Sequence, residues 1–534
     1  MASPDPDRAR FHPSRLPLVA LALVIGPGLA MYTGYTQTTV DGWDPVAYLY
    51  AGQRIAEGHG PTICHPYNEA IGPYFTLAGF NVQVSRGPCL YLNYPPGFPL
   101  LLAAAQVLTG LPDTALYVPA FLGALGLLVT FALGAALFDR WVGLVGAAVL
   151  ALTPVYLDAS TSPWSDLAGT VFVMGGLALH LLGQSSLAEH KSRPAIAAAC
   201  GSGLILYGLF IRYTNAIVLL PLALYILVSQ KKDAFKHISH WLFSGLTVLG
   251  FVGILLFNHM YFGGYLTTGY SPRHGWYTWP AFSLRYAWGP SPVGGESLKA
   301  AFETVRQNLG WLLLPGLVGM VTMPPRKKLL LGGLILSFVL LYGLYAFPAR
   351  GVNARFLLPV FPPLALVVAY GLRYGVQRWG WADRRGWLSA LAGGALLLLV
   401  LGLPLPRHLR DLQERNERSS QVVMTVQALV EHSEPDTVFL AYSLNDPIFF
   451  YGKRLTLFYR RLPPLDPTSG DYRWDKFESL LIEAVTNLLE RGVPVYYVQD
   501  SSPPFADSLN ILMRQFVLEP QQTTPITYRV SLDQ

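Results

Sequence analysis

Charge is what this chain has least of. Its 534 residues include 38 Lys and Arg and 32 Asp and Glu, 13% of the total, where a soluble globular protein carries roughly 25%. That shortage excludes an ordinary water-soluble protein, and the apolar residues, 52% of the chain, stand in long blocks rather than at an amphipathic period. The shortage is also uneven. Residues 1–405 hold 25 basic and 15 acidic side chains, whereas the last 129 residues hold 13 and 17. A membrane region followed by a water-facing domain accounts for both figures. The basic surplus of the first part is better explained by membrane topology than by nucleic acid. No internal repeat or low-complexity segment stands out.

A membrane-crossing helix needs about 20 mostly apolar residues, with about 17 still workable. Eleven segments qualify: 16–34, 115–137, 142–157, 165–183, 195–211, 213–229, 240–260, 308–323, 329–347, 355–372 and 386–404. Lys and Arg collect in cytoplasmic loops. The clusters Arg8/Arg10/Arg15, Arg140, Lys191/Arg193, Lys231/Lys232/Lys236, Arg326/Lys327/Lys328 and Arg373/Arg378/Arg384/Arg385 fall in alternate connections. This predicts a multi-pass protein of the cell membrane with a cytoplasmic N-terminus. Counting Pro95 to Leu108 as a full span would invert everything after it, so it is read as a short helix on, or dipping into, the outer face. The first apolar run resembles a signal peptide in position, but without a clear A-x-A site it reads as a retained anchor.

The expected domains are thus a transmembrane module, 1–404, and an extracytoplasmic α/β domain, 405–534. The module carries outer loops at 35–114 and 261–307. In the second domain, Thr437 to Tyr442, Val493 to Gln499 and Ile526 to Leu532 are strand-like and Phe477 to Arg491 has helical spacing. Of only three cysteines, Cys64 and Cys89 share the first outer loop. An oxidising compartment permits a bridge between them, which the sequence alone does not decide.

Few side chains on the outer side can do chemistry. Nine of the fifteen acids of the membrane part lie there: Asp41, Asp44, Glu57, Glu69, Asp113, Asp158, Asp166, Glu296 and Glu303. Asp44 precedes Pro45, so it either caps a helix or, with Asp41 one turn earlier, does chemistry near the bilayer exit. Asp158 and Asp166 flank the head of a span, where a carboxylate is costly unless it meets water or a partner. Either can orient an acceptor or hold a divalent cation, although neither has a partner at diagnostic metal-ligand spacing. Arg212 sits at the tip of a helical hairpin, and Arg350 and Arg355 flank the outer end of another span. Guanidinium groups at that depth suit a phosphate or snorkel to the interface. Two prolines in YLNYPPG, Tyr91 to Gly97, fix how a helix enters the membrane surface. The 261–307 loop is rich in Tyr and Trp and includes His274. Such rings either form an interfacial belt or stack on a sugar.

The order of these motifs is informative. Asp44 with Tyr48 four residues on, then Ala51 and a helix closing in Gly58, then YPPG, IRYTN around Arg212 and ARFLLPVFPPLAL around Arg355, together resemble the C-type glycosyltransferase superfamily. This includes protein O-mannosyltransferases and lipid A aminoarabinose transferases. The resemblance spans about residues 16–370. It implies a polyprenyl-phosphate sugar donor, a glycan, lipid or protein acceptor of the cell envelope, inversion at the anomeric carbon, and Asp44 as base. Arg212 and Arg355 match carrier-phosphate positions loosely. Two departures stand out. Pro45 replaces the second acid of an Asp-Glu pair, and Asn93-Tyr94 stands where aminoarabinose transferases have an acidic residue and a lysine. The alternatives from other classes are a transporter or lipid flippase, which calls for charged or broken helices near the bilayer midplane and often matching halves, and a non-catalytic scaffold of envelope assembly.

Overall fold

The computed structural model describes residues 16–82, 87–185, 193–231, 236–271, 280–378, 402–459, 462, 473–499, 507–521, 523 and 525–532. Among these, six helices are long and apolar enough to cross a membrane: Thr114–Leu137, Ser165–Gln184, Pro194–Ile211, Tyr213–Gln230, Ile238–Phe262 and Gly351–Arg378. The chain is therefore a mostly helical, multi-pass membrane protein. The segment expected at 386–404 lies almost wholly outside the described residues.

Two of the expected spans differ in detail. The 142–157 segment is two helices, Arg140–Ala151 and Pro154–Ser160, bent by 73°. Pro154 causes the break, because proline disfavours helical backbone in the residue before it and Thr153 is extended at φ −73°, ψ 123°. The 308–323 segment has only ten α-helical residues, Leu313–Thr322, after a tight turn at Gly310–Leu312. At 1.5 Å per residue this is about 15 Å, short of a crossing. The first helix, Leu16–Gly34, is followed by a second, Trp43–Ala56, that starts the loop bearing Asp44. Pro95 to Leu108 contains the expected short helix, Gly97–Thr109.

The loop between the second helix and Gly97 carries a small sheet. Strands β1 (Thr62–Cys64) and β2 (Phe80–Val82) both pair antiparallel with β3 (Cys89–Leu92). Cys64 and Cys89 are opposed in the β1–β3 register and form a disulfide that closes 25 residues of chain. A loop of that length restricts the unfolded chain by about 3 kcal/mol. Replacing both cysteines by serine is expected to lower stability by about that amount, and non-reducing peptide mapping of the native chain to recover the linked peptides. Two free thiols in that map would remove the bridge.

After the membrane helices, Leu405–Glu431 forms one 27-residue helix leading to a five-stranded sheet, in the order β5 (Leu455–Phe458), β4 (Val438–Ala441), β6 (Val495–Val498), β8 (Thr527–Leu532), β7 (Phe516–Gln521). β5, β4 and β6 run parallel, while β8 and β7 pair antiparallel. Pro520 is tolerated because β7 is an edge strand. Phe75 of the first loop is fully buried in this domain's core beside Leu440, Leu457 and Tyr459. The Phe458 amide donates to the Tyr74 carbonyl at 2.9 Å. The first loop and the C-terminal domain therefore share one end of the bundle and one core.

Candidate active site

Asp44 stands in the first turn of the helix Trp43–Ala56, but the residue before that helix is Gly42 and no side chain caps it. The capping reading of Asp44 is thus corrected. Its carboxylate turns instead to Arg355, which donates from Nη2 to Oδ2 at 2.8 Å, and to Tyr94, which donates from its hydroxyl to Oδ1 at 2.5 Å. Arg355 bridges onward through Nε to Asp166 Oδ2 at 3.2 Å, and Asp166 Oδ1 receives Arg212 Nη1 at 2.9 Å. The result is a chain of alternating charge, Asp44, Arg355, Asp166, Arg212.

Burial makes this chain unusual. The Asp166 and Arg355 side chains are only 3% and 7% exposed, whereas Asp44 is 30% exposed. A buried charge is tolerable only when paired, and Asp166 meets that demand with two arginines. Arg355 Nη1 is buried without a hydrogen-bond partner. Its guanidinium lies 3.5 Å over the Trp164 ring and also faces Phe356, a stacked geometry that lysine cannot reproduce. Solvent reaches the network at the Asp44 end.

The surrounding hydroxyls are neutral donors and acceptors. Tyr48, one turn after Asp44, shares a 3.1 Å hydrogen bond with Ser165, which also accepts from Arg212 at 3.3 Å. Burial pushes the Tyr48 and Tyr94 phenols well above their ordinary range, with the Asp44 carboxylate as a smaller cause in the same direction. Beside Arg212 is a cavity of about 290 Å³, whose walls include Pro95, Tyr270, Thr268, Tyr342 and Tyr345. Gly97 allows the proline turn to reach this spot. A Cβ there would stand 2.7 Å from the Phe210 carbonyl oxygen, so the glycine lets the turn sit directly on the end of the helix that delivers Arg212.

Of the residues singled out from sequence, Asp44, Tyr48, Asp166, Arg212 and Arg355 converge. Asp41 does not join them; it accepts from Ser419 at 3.0 Å on the helix Leu405–Glu431. Asp158 receives Arg415 of that same helix at 2.6 Å, and Arg350 donates to the Gly294 carbonyl at 3.3 Å. His274 lies outside the described residues. Trp164 and Ser165 belong to the site although nothing in the sequence reading linked them to Asp44, and so does Tyr94, which stood in the YPPG motif without an assigned role. The prolines after Tyr94 were the available signal, because they hold its backbone in one direction.

Among the described residues, no group of three or more His, Cys, Asp or Glu side chains is placed to hold a metal ion. Each carboxylate of the network faces a guanidinium at 2.8–3.2 Å, which would repel a divalent cation.

This is a helical membrane fold with a buried acid–arginine network at one end, next to a soluble domain. A family model for dolichyl-phosphate-mannose-protein mannosyltransferases matches residues 93–257. Among solved structures, ArnT from Cupriavidus metallidurans bound to undecaprenyl phosphate is 12% identical with a TM-score of 0.60, covering 96% of this chain and 99% of its own. The archaeal oligosaccharyltransferase AglB from Archaeoglobus fulgidus, in complex with an inhibitory peptide and a dolichol-phosphate, is 13% identical with a TM-score of 0.56, covering 91% and 70%. No curated protein sequence matches the chain. The chain thus shares the fold of these solved structures, and part of it, residues 93–257, matches that family model.

Proposed function

We propose that the protein is an inverting membrane glycosyltransferase that moves a sugar from a polyprenyl-phosphate carrier to a cell-envelope acceptor, with Asp44 as general base. The observation that carries this reading is the Asp44–Arg355–Asp166–Arg212 chain. It sets a partly exposed carboxylate beside two fixed cations at a bundle end. Sugar transfer from a phospholipid needs both. A base must take the acceptor proton, and positive charge must stabilise the departing phosphate.

In this reaction Asp44 takes the proton of the acceptor hydroxyl as its oxygen attacks the anomeric carbon from the face opposite the phosphate. The bond from that carbon to the phosphate oxygen breaks, its electron pair leaves with the phosphate, and the configuration inverts. Arg212 and the unpartnered Nη1 of Arg355 hold the charge that develops. The cavity beside Arg212 takes the sugar. An apolar groove of about 390 Å³, formed by Leu206, Tyr207, Phe210, Ile254 and Phe257, lies one helical turn before Arg212 and suits the start of a prenyl chain. The alternating basic clusters support a plasma-membrane orientation with the N-terminus cytoplasmic and both the site and the C-terminal domain outside.

Incubating the purified full chain with radiolabelled polyprenyl-phosphate sugars and envelope acceptors tests the reading. Label moving to an acceptor is the expected result. Translocation of the lipid without transfer would replace it with a flippase, and neither activity would leave a scaffold.

A further inference from the structure

We propose that Tyr94 is a positioning residue for Asp44, set in place by the C-terminal domain through residues 76–79; this rests on Asp44 being the base. The Tyr94 hydroxyl goes to the acid and donates to Oδ1 while Arg355 holds Oδ2. With both oxygens engaged, rotation of the carboxylate is restricted and its remaining acceptor directions are defined. The Tyr94 ring is itself confined between Tyr48 and Tyr270, at centroid distances of 4.9 and 5.9 Å.

The support behind Tyr94 comes from far along the chain. A Cβ at Gly79 would lie 2.9 Å from Tyr94 Cε2 and 2.5 Å from Ala47 Cβ. The loop backbone therefore presses at once on the tyrosine ring and on the helix that carries Asp44. The Gly79 carbonyl accepts from the Asn93 amide at 2.9 Å, one residue before Tyr94. On its other side, the loop is held by two fully buried residues of the C-terminal domain. Asp446 Oδ1 accepts from the Ala78 amide at 2.9 Å, and Asn445 Nδ2 donates to the Thr76 carbonyl at 2.9 Å and to Asp446 at 2.8 Å. The path from the domain to the base is thus continuous: Asn445 and Asp446, the 76–79 backbone, Tyr94, Asp44.

The titratable and charged groups around Asp44 are Arg355 from the segment Gly351–Val360, Tyr48 on its own helix, and Tyr94 and Tyr270 from the two loops. Asp166 and Arg212 stand behind Arg355. Of these, Tyr94 alone donates a neutral hydrogen bond to the carboxylate, so its removal is separable from loss of charge.

Tyr94→Phe, in the full-length membrane protein, is expected to lower kcat by about 10- to 10²-fold, the scale of a misplaced reacting group. Donor KM is expected to stay nearly unchanged. Gly79→Ala should lower kcat with the same unchanged KM, and should lower it no further when added to Tyr94→Phe, because coupled residues are not additive. A rise in donor KM with kcat unchanged, or an unaltered kcat, would overturn the proposal. Additive losses of kcat would overturn the route through residues 76–79. Absence of transfer by the wild-type protein would overturn the reading of Asp44, and the proposal with it.

Discussion

Asp44→Asn is expected to lower sugar transfer by about 10²- to 10⁴-fold, the usual contribution of a positioned acid–base group, while leaving the protein folded and inserted. The substitution is nearly isosteric. Its carbonyl oxygen still accepts from Arg355, and the side chain remains within reach of Tyr94, so the geometry of the network survives. What is lost is the capacity to take a proton. The test is selective because Asp44 caps no helix; a large fall in thermal stability would point to a structural role that its contacts do not suggest. Near-normal transfer by this variant, measured with the radiolabelled donor, would sink the assignment.

Arg355→Ala is the second large effect. Arg355 is the only residue of the network that touches both carboxylates, and its stacking on Trp164 holds it between them. Removing one partner of a buried ion pair costs roughly 3–5 kcal/mol because the other charge is left uncompensated; here the stranded group is chiefly Asp166, still held by Arg212, so the lower end of that range is expected. Loss of a preorganised charge at the leaving group lowers kcat by about 10²- to 10³-fold. Arg355→Lys should recover little, since one ammonium group cannot serve Asp44, Asp166 and a ring face together. Recovery of most activity by the lysine variant would show that charge alone suffices and that the bridging geometry is incidental.

The contrast between Asp44 and Tyr94 shows what was legible in the sequence. Asp44, Arg212 and Arg355 stand out because charge is rare in an apolar chain, and rarity singles out a residue without any knowledge of its neighbours. Which of them meet was not legible. The Arg355–Asp44 contact joins residues 311 apart, and the Tyr94–Asp44 contact joins residues 50 apart. Asp41 and Asp158 were as conspicuous as Asp166, yet they fasten the helix Leu405–Glu431 through Ser419 and Arg415; only the fold separates an anchoring acid from one in the network. Tyr94 was hidden for the opposite reason. Tyrosines are common at membrane interfaces, so nothing local distinguishes one that grips a carboxylate.

The same division holds for the fold. Long apolar helices announce themselves by composition, and β4, β6 and β8 by their β-branched and aromatic runs. The edge strand β7 was missed because it is largely exposed and tolerates the proline at 520, and β5, buried along most of its four residues, because it is too short to show a pattern. The break at Thr153 is written in the X-Pro pair but is masked by the unbroken hydropathy on either side.

The shared core of the first loop and the C-terminal domain has a consequence in time. Ala78 is tied to a residue 368 positions later, and Phe75 is buried among strands that a ribosome makes long after it. Contacts of such sequence separation carry a high loop-closure cost and form late. The loop's permanent neighbours do not exist until the membrane helices that follow it have been made. While those helices are being made the nascent chain therefore carries an unfinished loop, which the α/β domain completes.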